Sequence, residues 1–503
     1  MSSGAWGRRL PILLCLLVGA CATARPARAP GGEPAPPSSP LANRLTALLE
    51  TPEAEPALWA LFVRSLDTGE VLHQHHGDRL LMPASTMKLA TLAVAAEQLG
   101  WDYRYETHLL SDAPVVDGVL QGDLIVRGSG DPTFATATSD DESVFDAWTQ
   151  SLAGAGITAI DGRIIGDDDL VEDAALGYGW SWDDLAYGYA APTGALQYHD
   201  NVVLLTVHPG SVFGEETLIE VRPRASGIRV VNRVQTVLLD AEPTLSLRRL
   251  SDGAIEVLGE IPSSSSPTFR TASVDNPTLF FVRGLRRAFQ SGGISISGDA
   301  VDRDDIDDTI FERDLRVLAS RQSPPLSALA GPLMQVSQNL YAETLLNTLD
   351  PRRRPRTAEA GREVMRDVLQ SWGVNRSQIV VADGSGLSRY NYVTARALVD
   401  ILQRMHDDPR HAAPYRDTLP VAGVSGTLAS RLSGTAADGN VQAKTGSMTN
   451  VQALAGYVTS ADGEALAFAV LANNFTGAAG PILGVIDDIV DQLASSRRSD
   501  SER

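Results

Sequence analysis

Three short combinations of residues could assemble a nucleophile and its proton acceptor: Ser85-x-x-Lys88, Ser337-x-Asn339 and Lys444-Thr445-Gly446. A serine hydroxyl attacks poorly until a neighbouring base removes its proton. Residues three apart on a helix share a face, so the Lys88 amine can reach the Ser85 hydroxyl. Lysine serves as a base only when burial or a nearby cation lowers its pKa, and Lys444 could supply that cation. Ser337 would relay a proton to the departing amine, and Asn339 would hold a substrate amide. Backbone N–H groups of Ser85 and Ser447 could receive the developing oxyanion. The chemistry these groups point to is acyl transfer through a serine ester.

Lysine usage sharpens this reading. Of the 42 basic residues, only Lys88 and Lys444 are lysine. Arginine replaces lysine wherever a surface charge is enough, but it does not readily give up its proton. Lysine kept at just two points therefore marks points that need lysine chemistry. A lone Ser-x-x-Lys is usually an accident of helix composition, whereas three such elements in this order form a recognised signature.

The positioning elements follow from the pattern. Leu58–Leu66 and Glu70–His76 read as a hairpin, and 89–99 as a buried helix that opens near Ser85. The pattern is helical again over 326–349 and 358–372. Residues 441–448, 452–459 and 465–472 read as consecutive antiparallel strands. Ile482, Val485, Ile486, Ile489, Val490 and Leu493 fall at helical spacing. Between these blocks, 105–305 carries short β-type runs divided by Gly, Asp and Pro. At 503 residues the chain allows two to four domains.

The expected fold is α/β of the α+β kind: an antiparallel sheet with helices, split by two inserted β-rich domains. The expected boundaries are a signal peptide over 1–22, an Ala/Pro-rich linker over 23–44, and a catalytic domain from 45–104 and 306–495. One insertion would take 105–130 and 206–305, the other 131–205, with a polar tail at 496–503.

Arg8 and Arg9 precede an apolar run too short to span a bilayer, which reads as an export signal. Val18-Gly19-Ala20-Cys21 resembles a lipobox, which would leave a lipidated Cys21 as a membrane tether; cleavage after Ala22 is the alternative. The net charge of −20 argues against nucleic acid as a partner. The only cysteines are Cys15 and Cys21, so the folded part has no thiolate metal site. His73, His75 and His76 sit on a hairpin without ligand spacing and read as exposed strand residues. Arg352-Arg353-Arg354 with Arg356 reads as a solvated loop. Neither a metal nor a cofactor is expected.

Beyond the triplet, 83–89, 122–124 with 128–132, 337–343, 383–389, 419–423 and 444–447 resemble blocks of the class C penicillin-binding proteins, the D-alanyl-D-alanine carboxypeptidase/endopeptidase family. The resemblance covers residues 45–495. The separations agree with it, 252 residues from Ser85 to Ser337 and 107 from there to Lys444. It implies a periplasmic enzyme that acts on peptidoglycan stem peptides and is acylated by β-lactam antibiotics. It also implies that Thr445, Gly446 and Ser447 bind substrate, with the Ser447 hydroxyl on its carboxylate. Asp184, Arg389 and Met448 would line a pocket for a free amine, with Asp183 an equal substitute for Asp184. A β-lactamase or esterase of related fold, and a non-catalytic wall-binding lipoprotein, are the alternatives. Oligomeric state is not legible.

Overall fold

The computed structural model describes residues 39–139, 142–172, 176–238, 242–307, 311 and 313–498. The expected export signal, Cys21 and most of the expected linker lie outside these residues.

The domain that holds the N- and C-terminal strands is built on a five-stranded antiparallel sheet. Its strands are β1 (Leu58–Ser65), β2 (Val71–His75), β3 (Gln442–Met448), β4 (Val451–Thr459) and β5 (Ala465–Asn473). Their spatial order is β2-β1-β5-β4-β3. The N-terminal hairpin and the C-terminal strands therefore complete one sheet through the β1–β5 pairing.

Both faces of the sheet are covered, which explains why its strands are apolar almost throughout. Alternation within each strand still divides the side chains between two cores. Trp59, Leu61, Val63, Leu454, Phe468 and Val470 face α1 (Pro40–Leu49) and the C-terminal helix. Ala60, Phe62, Ala455, Tyr457 and Leu471 face a helical layer made chiefly of α2 (Met87–Leu99), α3 (Leu326–Gln335), α4 (Asn339–Thr348), α5 (Ala358–Ser371) and α6 (Ala395–Asp407). The C-terminal helix α7 (Gly480–Ser495) buries the six apolar residues whose spacing marked it. Among the described residues, no helix is long and apolar enough to cross a membrane.

Several expectations change. The linker ends earlier than residue 44, because α1 starts at Pro40, capped by the Ser39 side chain, and buries Leu41 and Leu45. The helical stretch over 326–349 is two helices, broken at 336–338. His73 is buried rather than exposed, and burial pushes its pKa down to about 4.

The insertion boundaries also move. Leu124–Arg127 pairs with Ile164–Asp167, so a division at 130/131 would cut through a sheet. Arg316–Gln322 pairs with Glu106–Ser111, so the insertion's sheet reaches past residue 306. Residues 202–273 form two separate three-stranded sheets. Helix Pro277–Ser291 buries Phe280, Phe281 and Leu285 in the core of the inserted region.

Candidate active site

Ser85 sits in a single 3-10 turn, Ala84–Thr86, that runs straight into α2. That start presents the serine at the end of a helix whose body is buried among other helices. One turn on, the Lys88 Nζ lies 3.0 Å from the Ser85 Oγ. The same amine lies 2.6 Å from the Asn339 Oδ1 and 2.8 Å from the Ser385 carbonyl oxygen.

Three oxygens surround the amine: a charged ammonium would give one hydrogen to each, and an uncharged amine would give its two to Asn339 and Ser385 and turn its lone pair to the Ser85 hydroxyl. Lys88 is fully buried, and burial lowers its pKa to about 7 against the opposing pull of Asp383 and Glu343. A lysine of that kind can accept a proton at neutral pH, as a general base must.

Lys444 lies on β3, also fully buried, 2.9 Å from the Ser337 Oγ and 2.9 Å from the Thr445 carbonyl. Burial lowers its pKa well below the usual lysine value, and the charge of Lys88 adds to the effect. Ser337 occupies the break between α3 and α4 at φ +61°, a region non-glycine residues rarely adopt. Such backbone persists where the surroundings impose it, commonly at functional sites. Here it turns the hydroxyl to Lys444 while the next helix starts at Asn339. The Asn339 amide is oriented at both ends, since its Nδ2 donates to the Tyr189 carbonyl at 2.7 Å.

Two glycines permit the convergence. A Cβ on Gly446 would lie 2.6 Å from the Pro83 oxygen, so β3 can run close beside the Ser85 turn only without a side chain there. Gly386, at φ +88°, comes closer still, and a Cβ there would lie 1.8 Å from the Ala84 oxygen.

A cleft of about 450 Å³ opens over the serine, lined by Ser85, Ser337, Asn339, Arg389, Ser447 and Met448, with Asp184 and Tyr189 on its wall. Asp184 takes that place rather than Asp183, and its Oδ1 accepts from the Tyr189 hydroxyl at 2.6 Å. Arg389 donates to the Thr449 carbonyl at 3.4 Å, and the Ser447 Oγ accepts from Gln452 at 2.9 Å. Thr445 points its hydroxyl at that of Thr427, 2.8 Å away. Of the residues named from sequence, Ser85, Asp184, Ser337, Asn339, Arg389, Ser447 and Met448 line the cleft, Lys88 and Lys444 lie buried against Ser85 and Ser337, and Thr445 and Gly446 are not in its lining.

Sequence reasoning missed the support beneath Lys88. Buried Glu343 accepts from the backbone N–H of Ser385 at 2.7 Å and of Gly384 at 3.1 Å. Burial raises its pKa to about 8, with Asp383 adding to the rise. Asp383 accepts from Gly386, Ser388, Asn391 and Trp180. Together they fix the loop whose carbonyl holds Lys88. Both acids belong to motif blocks, but an acid in a motif gives no signal of burial.

A serine at a helix start, a buried amine within its reach and a second lysine–serine pair are the groups a serine-type acyl-transfer hydrolase uses, here on a sheet-and-helix scaffold. A model of the D-Ala-D-Ala carboxypeptidase 3 (S13) family matches residues 41–494. The chain belongs to that family, and is a serine-type carboxypeptidase by its membership. It is 34% identical over 472 residues to a D-alanyl-D-alanine carboxypeptidase of Actinomadura sp. (strain R39), covering 90% of this chain and 84% of that one. It is 27% identical over 421 residues to D-alanyl-D-alanine carboxypeptidase DacB of Haemophilus influenzae, covering 82% and 85%. The crystal structure of penicillin binding protein 4 (dacB) from Haemophilus influenzae superimposes with a TM-score of 0.79 at 25% identity, over 90% of this chain and 99% of that one.

Proposed function

We propose that this carboxypeptidase acts on peptidoglycan stem peptides, releasing a terminal D-alanine or opening a D-centred cross-link through one acyl-enzyme. The observation that carries the reading is the fully buried Lys88 amine 3.0 Å from the Ser85 hydroxyl. Ser85 Oγ forms a bond to the carbonyl carbon of the penultimate D-alanine while Lys88 accepts the hydroxyl proton. The oxyanion is received by the N–H groups of Ser85 and Ser447. The carbon–nitrogen bond then breaks, and Ser337, backed by Lys444, passes a proton to the departing amine. Water hydrolyses the ester and restores the serine.

The remaining cleft residues select the substrate. Asn339 holds its amide, Thr445 and Ser447 offer hydroxyls to its terminal carboxylate, and Gly446 lets the strand approach. Asp184, with Arg389 and Met448 beside it, suits an amine-bearing side chain, because a carboxylate facing an ammonium is electrostatically complementary. A β-lactam presents a strained amide of similar shape and forms a slower-hydrolysing ester on Ser85. The Haemophilus protein named above also superimposes, with a TM-score of 0.74, in its complex with a β-lactam. The protein acts outside the cytoplasm, exported by residues 1–22 and held either by a lipid on Cys21 or not at all.

The test is to incubate the wild type and Ser85→Ala with purified muropeptides and with labelled penicillin. The expected result is D-alanine release and cross-link cleavage by the wild type, with the label mapped to Ser85. Covalent labelling of Ser85→Ala would overturn the assignment. Mass measurement of the mature N-terminus separates lipidated Cys21 from cleavage after Ala22.

A further inference from the structure

The arginine-rich loop after α4 is not simply solvated, as its composition suggests. Arg356 is only 6% exposed, and its backbone bridges to the insertion through Leu170 and Glu172. Its Nη1 donates to the Ser129 carbonyl at 3.0 Å, while its Nε is buried without a hydrogen-bond partner. A buried guanidinium N–H left unpaired is costly, and native structures rarely keep one without a reason.

The surroundings give that reason. Arg356 lines a second cleft, of about 410 Å³, at the seam where the chain leaves the catalytic domain for the insertion. This cleft shares no lining residue with the cleft over Ser85. Arg104, Arg127 and Arg354 line it as well. Arg127 is paired with Asp167 at 2.6 Å. Arg104 donates to the Ser323 carbonyl, and Arg354 to the Pro351 and Arg353 carbonyls. Among the described residues, none of Arg104, Arg354 and Arg356 has a carboxylate partner. The one acid in the lining, Glu106, is engaged by Gln322 at 2.7 Å and lies 3.7 Å from His108. Tyr103 faces Arg356, but burial raises its phenol above the usual value, so it supplies no counter-charge.

Three arginines without a carboxylate partner among the described residues therefore line one cleft, in a protein whose net charge is −20. The planar fork of arginine matches the two oxygens of a carboxylate or phosphate. We propose that the seam cleft between Arg104, Arg354 and Arg356 binds an oxyanion, carboxylate or phosphate, separately from the catalytic cleft. The occupant supplies the counter-charge these arginines lack and joins the insertion to the catalytic domain. The proposal does not depend on how the Ser85 cleft is read.

The test is isothermal titration of the full chain with inorganic phosphate at low ionic strength, alone and with a disaccharide-tetrapeptide muropeptide present. Wild type is expected to bind phosphate, and Arg354→Gln and Arg356→Gln to bind it at least tenfold more weakly. Arg352→Gln, outside the cleft lining, should bind as wild type. Arg354 is exposed, so its variant keeps the test decisive if Arg356→Gln fails to fold. Displacement of phosphate by the muropeptide assigns the site to wall-polymer carboxylates, and binding without displacement assigns it to free phosphate. No phosphate binding by wild type, or equal binding by Arg354→Gln, overturns the proposal.

Discussion

Buried charge is handled in opposite ways in the catalytic cleft and in the inserted region. In the insertion, three buried acids are matched by arginine: Asp131 by Arg321, Asp167 by Arg127 and Arg303, Glu256 by Arg248. In the cleft, Lys88 and Lys444 are just as buried, yet their hydrogen-bond partners are neutral oxygens from Ser85, Asn339, Ser385, Ser337 and Thr445. A matched pair holds both charges in place. An amine surrounded by neutral oxygens can shed its proton, which is what a base must do.

The largest effect expected from this contrast is at Lys88. Lys88→Arg puts a permanent cation where an uncharged amine is needed, and should cut acylation by labelled penicillin about 10³-fold, the range general-base loss usually spans. Near-normal acylation by that variant would end the contrast. Next is the insertion. Burial raises the Asp131 carboxyl and Arg321 opposes the rise, so Arg321→Ala leaves a poorly compensated charge. Breaking such a pair costs about 3 kcal/mol in denaturant unfolding at neutral pH. Since the variant raises the folded-state pKa further, its deficit should grow as pH rises and shrink as the carboxyl is protonated in acid.

Two effects of about tenfold follow. With the Lys88 pKa near 7, acylation should fall about tenfold between pH 8 and pH 6, as the base becomes protonated. A flat profile over that range would mean that another group accepts the proton. Gly446→Ala drives a methyl against the Pro83 oxygen and shifts β3 from the serine, lowering kcat/KM about tenfold by misplacement. The smallest effect is at a surface pair in the insertion, Arg229 with Asp252, both more than half exposed. Arg229→Ala should leave the unfolding midpoint unchanged, since exposed pairs add little.

The chemistry was legible because the sequence holds only two lysines and both lie in motifs. The sheet and α7 were legible from strand alternation and helical spacing. The break at Ser337 was not, since residues 326–349 read as one helical run and the left-handed residue there contacts Lys444, which is distant in sequence. Glu343, Asp383 and Arg356 escaped for a related reason: charged residues look like surface until the fold buries them. The insertion boundaries were hidden because strands at 106–111, 124–127, 164–167 and 316–322 interleave in one sheet.

The β1–β5 pairing has a consequence for biogenesis. Strand β1 emerges early from the ribosome, but its neighbour on one side is made only near the end of synthesis. Until then the chain lacks Lys444, so the pairing of Lys444 with Ser337 cannot form. Pairing across such a span is slow and leaves an unpaired edge exposed. Export before that edge is satisfied would deliver a chain that matures only at its destination.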